Sequence, residues 1–80
     1  ANELLNVKNV KASFVCTPYN DQVYISARSI DKVNVQVIME QFGGGGHMNL
    51  AGAQVRNKTT DEVIVMLKKI IEKMIEEGEF

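Results

Sequence analysis

Residues 33–43 read VNVQVIMEQFG, and the way they fold decides the architecture of this 80-residue chain. Val33, Val35 and Val37 alternate with Asn34 and Gln36 as in a strand, whereas Val35, Ile38, Met39 and Phe42 share one stripe of a helix. The flanks favour the helix: Asn34 suits an N-cap, and Gly43 stands where a left-handed C-terminal residue is wanted. The spacing therefore predicts a helix over residues 34–42, roughly 14 Å long at 1.5 Å per residue.

Upstream, residues 11–17 (KASFVCT) are rich in strand formers, PYND at 18–21 supplies turn chemistry, and residues 22–29 (QVYISARS) alternate apolar with polar side chains. These predict two antiparallel strands. The opening ANELLNV, with Leu4, Leu5 and Val7, reads as the last turn of a helix that begins before Ala1. Downstream, residues 53–57 (AQVRN) form a short strand candidate, and Thr59 with Glu62 reads as a capping box. The final helix carries Val63, Leu67, Ile70, Ile71 and Met74 on one stripe and Lys68, Lys69, Glu72, Lys73 and Glu76 opposite, and Gly78 stops it. The expectation is one α+β domain over residues 1–80, part of a larger protein. It has a small mixed β-sheet of about three strands, two main helices and a glycine-rich loop.

Composition narrows the function. With 45% hydrophobic residues, 24% charged residues and a net charge of −1, the chain is an ordinary globular domain, and generic polyanion binding is disfavoured. Cys16 stands alone and no Cys or His pair has metal-ligand spacing, which argues against zinc and for a reducing compartment. Apolar runs are far too short to span a bilayer, so a membrane link would lie outside these residues.

The unusual stretch is FGGGGHMNLAG at residues 42–52, which sets four glycines before the only histidine. Ordering four glycines costs roughly 2 to 4 kcal/mol relative to alanines, so either the segment is loose or something offsets that cost. A flexible linker and a solvated surface histidine are the plain readings, although a linker sits oddly between two packed elements of so small a domain. The alternative is a phosphate cradle: backbone without Cβ lets an anion approach successive N–H groups, and His47 adds a donor. On that reading a valine at Gly44 or Gly45 abolishes binding and leaves folding intact. Arg28, on the polar phase of the second strand, is the arginine such a site wants; its plain alternative is an ion pair with Asp31 or a helix carboxylate. Arg56, close to a turn, reads as solvated.

VYISARSIDKVNVQVIMEQFGGGGHMNLAGAQV closely resembles the C-terminal DHH-associated domain of DHH-type phosphoesterases, and within these the GdpP-type cyclic di-AMP phosphodiesterases. GGGGH followed by small residues is common to the wider superfamily, including RecJ-like nucleases and oligoribonucleases, while VYISARS and VNVQVIME narrow the likeness. The resemblance implies a substrate-binding domain in which Gly43, Gly44, Gly45, Gly46 and His47 form the binding motif. Arg28 is then a phosphate contact and Ser26 its neighbour. It further implies that the parent hydrolyses cyclic di-AMP, or a short oligonucleotide, with manganese held in a DHH domain elsewhere in the same chain. This domain would bind no metal itself and be inactive alone, since its acidic residues lie mostly on or beside the last helix. A cytoplasmic location follows, any membrane anchor of the parent lying outside these residues. Two other readings remain beside it: an RNA-binding module of KH type, disfavoured by the missing basic residues, and a homodimer built on Met66, Met74 and Ile75.

Overall fold

The computed structural model describes residues 3–7, 11–31 and 33–78. Five strands and two helices follow in the order β1 (Glu3–Val7), β2 (Ala12–Tyr19), β3 (Gln22–Ser29), α1 (Val35–Glu40), β4 (Gly45–Gly46), β5 (Leu50–Arg56) and α2 (Thr60–Glu76). The strands form one sheet in the order β1-β2-β3-β5-β4, with every neighbouring pair antiparallel. The α+β class stands as expected. The sheet is larger than the three strands anticipated and is antiparallel throughout, not mixed.

Both helices cover the same face. Phe14 and Cys16 from β2 and Val23, Ile25 and Ala27 from β3 are buried against Val35, Ile38 and Met39 of α1 and Val63, Leu67, Ile71 and Met74 of α2. Period-2 burial along β2 meets the helical stripe of α2, which joins the two periodicities in one core. Met74 belongs to that core, so it is not available to a dimer face; Met66 is half-buried and Ile75 exposed.

Three local expectations change. The opening residues form strand β1 on the free edge of β2, where five residues are too few to separate a helical from a strand period and cross-strand pairing decides. Strand β2 runs through Pro18, which pairs with Val23 in the sheet. The antiparallel alternation turns Pro18's backbone nitrogen away from β3, so its missing N–H forfeits no bond there. Helix α1 is shorter than residues 34–42, ending at Glu40, with Asn34 as N-cap accepting from the N–H groups of Gln36 and Val37.

Candidate functional site

Because both helices lie on one face, the other face of the sheet is bare. Tyr24, Ser26 and Arg28 project from it on β3, and the register places Gln54, Gly52 and Leu50 of β5 directly beside them. Beyond β5, Gly45 lies opposite Gly52, and His47 exchanges backbone hydrogen bonds with Leu50 at 2.8 and 3.3 Å. Two rows therefore cross three strands, Arg28–Leu50–His47 and Ser26–Gly52–Gly45. Two strand spacings put the Arg28 and His47 backbones roughly 9.6 Å apart. In the chain these two residues are separated by the whole of α1. The β4–β5 hairpin folds the chain back, and Met48 O accepts from Val35 N–H at 2.8 Å, fixing the start of α1 to the hairpin tip.

The four glycines have different jobs. Gly43, with φ +81°, takes the left-handed conformation that ends the helix. Gly44 lies so close to β5 that a Cβ there would stand 2.1 Å from Gly52 O and 2.7 Å from Ala53 Cα. Gly46, with φ +142°, would meet Ala51 Cα at 2.6 Å. Only Gly45 combines an open Cβ direction, with nothing within 4 Å, and a place in the row beside Ser26. The run is thus a helix cap followed by an edge strand rather than a flexible linker.

It is also not a concavity of successive free amides. The N–H groups of Gly43, Gly44 and His47 donate to Glu40, Met39 and Leu50. The ladder assigns that of Gly45 to Gly52, leaving the Gly46 N–H at the outer edge. The expectation that a valine at Gly44 leaves folding intact is overturned for the same steric reason; at Gly45 nothing opposes the added side chain.

Arg28 is exposed, and Asp31 is occupied elsewhere, by Lys11 Nζ at 3.0 Å. Among the described residues no carboxylate lies within 4.0 Å of Arg28, so its guanidinium is unpaired on the bare face. Two shallow grooves flank it. One, of about 750 Å³, runs past Lys11, Ser13, Arg28, Ile30, Asn49 and Leu50. The other, of about 520 Å³, is lined by Tyr24, Ser26, Gly44, Gly52, Gln54 and Arg56 among others. Arg56, the last residue of β5 and exposed as expected, is on the same face as Arg28.

One structural residue escaped the sequence reading. Asn49 Nδ2 donates to Ser29 Oγ at 3.0 Å and to Asp31 O at 3.2 Å, while Ser29 Oγ donates to Val33 O at 2.6 Å. These bonds tie the hairpin tip carrying His47 to the loop after β3 that follows Arg28. The only local signal was an Asn at a hairpin tip, which is common to many turns.

Burial, and secondarily the charge of Glu3 on the neighbouring strand, push the Cys16 thiol up from its ordinary value. The Thr59 N–H and hydroxyl hold the Glu62 carboxyl below the usual range at the capping box. Among the described residues no three His, Cys, Asp or Glu side chains converge as metal ligands, so these residues do not fit a two-metal centre. No helix in the described residues is long and apolar enough to cross a membrane.

Residues 1–77 match the DHHA1 domain. The cyclic-di-AMP phosphodiesterase GdpP of Geobacillus thermodenitrificans is 47% identical over 79 residues, which are 98% of this chain and 12% of that protein. The bifunctional oligoribonuclease and PAP phosphatase NrnA of Mycoplasma genitalium is 37% identical over 73 residues, 88% of this chain and 23% of that protein. The A-adding tRNA nucleotidyltransferase of Geobacter sulfurreducens is 33% identical over 76 residues, 94% of this chain and 9% of that protein. The chain thus spans less than a quarter of the length of each of these relatives.

Proposed function

The chain belongs to the DHHA1 domain family, and on that premise we propose that it is the substrate-holding domain of a DHH-type phosphodiesterase acting on cyclic di-AMP. The likeness to GdpP over 98% of this chain supports the substrate class. The observation that carries the binding role is Arg28, without a carboxylate partner among the described residues, in one row with His47 on an uncovered sheet face, beside the bare Cα of Gly45.

In this reading the planar guanidinium of Arg28 donates two parallel hydrogen bonds to the phosphodiester, and His47 donates from the far side of Leu50. Gly45 admits the ligand close to the backbone, and Ser26 Oγ offers a donor in the next row. Gly43, Gly44 and Gly46 act through shape, by ending α1 and laying β4 flat on β5. The catalytic metals, manganese in this proposal, belong to the DHH domain of the same parent chain, which would supply the activated water. The site works at the cytoplasmic side, with any membrane anchor of the parent outside these residues. A short linear oligonucleotide would meet the same phosphate contacts, which is the second reading that the likeness to NrnA favours.

The test is kinetic, in the full-length parent. Arg28→Ala and His47→Ala should each lower turnover of cyclic di-AMP about 10²-fold, since a contact to a charged phosphate is worth about 1.5 to 3 kcal/mol. Rates within twofold of the unaltered protein for both variants would remove the substrate-holding role.

A further inference from the structure

Along the bare face, the row Thr17–Tyr24–Gln54 comes next after the row of Ser26, and Tyr24 and Gln54 both line the second groove. Tyr24 is 40% exposed although it is a large aromatic on an inner strand. Tyr19, diagonal to it, braces its ring with centroids 6.3 Å apart at 50°. Two rows along the face from Arg28 there is thus a held aromatic surface beside the exposed amide of Gln54. Between the rows of Arg28 and Tyr24, the Ser26 row carries a hydroxyl on β3 and glycines on β5 and β4, with Val15 beside it on β2.

We infer that Tyr24 and Gln54 form a nucleobase subsite, in which one base of the dinucleotide stacks on the Tyr24 ring and the Gln54 amide reads its edge. The inference rests on the phosphate-holding role of Arg28 proposed above. The rows of Arg28 and Tyr24 are four residues apart on one strand, roughly 13 Å at 3.3 Å per residue, which leaves room for one nucleoside laid between phosphate and stacking ring. An aromatic face accepts any base, so Tyr24 supplies affinity without choice. Choice comes from Gln54: a side-chain amide presents a donor and an acceptor side by side, the complement of the N6–H and N7 of adenine, whereas guanine shows two acceptors on that edge. Arg56, one row further on β5 and lining the same groove, is placed to cover the open side of the base.

The rival account is that Tyr19 and Tyr24 are a cross-strand pair that only strengthens the sheet. Steady-state hydrolysis of cyclic di-AMP and cyclic di-GMP by the full-length parent separates the two, with melting temperature followed in parallel. Tyr24→Leu keeps an apolar strand residue and should raise KM for cyclic di-AMP about tenfold or more, with kcat and melting temperature little changed. Gln54→Leu should lower the preference for the adenine over the guanine dinucleotide at least about fivefold. Arg28→Ala should lower turnover of both. If Tyr24→Leu leaves KM within twofold, or lowers the melting temperature while the remaining folded protein shows unchanged kinetics, the subsite is wrong and the phosphate role of Arg28 stands. If Arg28→Ala is itself without effect, the phosphate reading falls and the subsite with it.

Discussion

Alanine at Gly44 and alanine at Gly45, adjacent residues in one run of glycines, should have opposite effects on stability. At Gly44 the new Cβ would lie 2.1 Å from Gly52 O and 2.7 Å from both Cα and Cβ of Ala53. Ordinary contact begins near 3.4 Å, so β4 and β5 must separate by 3.4 − 2.1 = 1.3 Å at that point. The obstacle is mostly backbone and cannot rotate aside. Overpacking of this kind costs about 1 to 3 kcal/mol, and separation also strains the two-way bonds between His47 and Leu50, so a loss of about 3 kcal/mol is expected. For 80 residues the whole stability is about 4 to 12 kcal/mol, so this is a large share.

At Gly45 nothing lies within 4 Å of the added methyl, and its φ is not among the positive ones. The unfolded chain loses freedom instead, which stabilises by about 0.4 to 1 kcal/mol. Urea unfolding followed by far-ultraviolet circular dichroism should then give midpoints about 3.4 to 4 M apart, taking m near 1 kcal/mol per M. Midpoints within about 0.5 M of one another would refute the packing account of the glycine run. If Gly45→Ala is the more stable protein yet weakens cyclic di-AMP binding by the parent, its bare Cα serves the ligand rather than the fold.

The remaining predictions address single contacts. His47→Ala should leave the urea midpoint within about 0.5 M of the unaltered chain, because the histidine contributes to the hairpin through its backbone, which alanine keeps. Asn49→Ala removes the bonds that hold the hairpin tip to the loop after β3, and should cost about 1 kcal/mol per bond lost, read as a drop in melting temperature. Thr59→Ala removes the N-cap of α2 and should cost about 1 kcal/mol, or about 4 to 8 °C in melting temperature. Glu62 has a folded pKa below its unfolded one, so its contribution is full above the unfolded value and fades as pH falls through the folded value; Glu62→Gln should flatten that acid limb. Cys16 should react slowly with a thiol reagent at pH 8 in the native chain and rapidly in urea, because burial disfavours the thiolate.

Several features were legible in the residues alone because they depend on short-range physics. The cap and stripe of α2 follow from Thr59, Glu62 and the spacing of Val63, Leu67, Ile71 and Met74. The same holds for α1, where Asn34 at one end and Gly43 at the other resolved a stretch whose periodicity was ambiguous. The alternation of QVYISARS identified both the strand and the side on which Arg28 and Ser26 stand. Position within the sheet was another matter. Residues 3–7 became a strand only because β2 offers an unpaired edge, and β5 begins at Leu50 rather than Ala53 because β3 and β4 pair with it from either side.

The candidate site divides in the same way. The residue types proposed for it, an arginine, the single histidine and a run of glycines, are named by the sequence, because their donors and bare backbone are the chemistry a phosphate needs. Where they meet was decided by tertiary structure: β5 inserts between β3 and β4, so Arg28 and His47, nineteen positions apart, come into one row through Leu50. The division of labour among the four glycines was likewise invisible in a uniform string. It depends on what each missing Cβ would have touched, and that is a property of the neighbouring strand: Gly52 and Ala53 stand against Gly44, Ala51 stands against Gly46, and open space stands against Gly45.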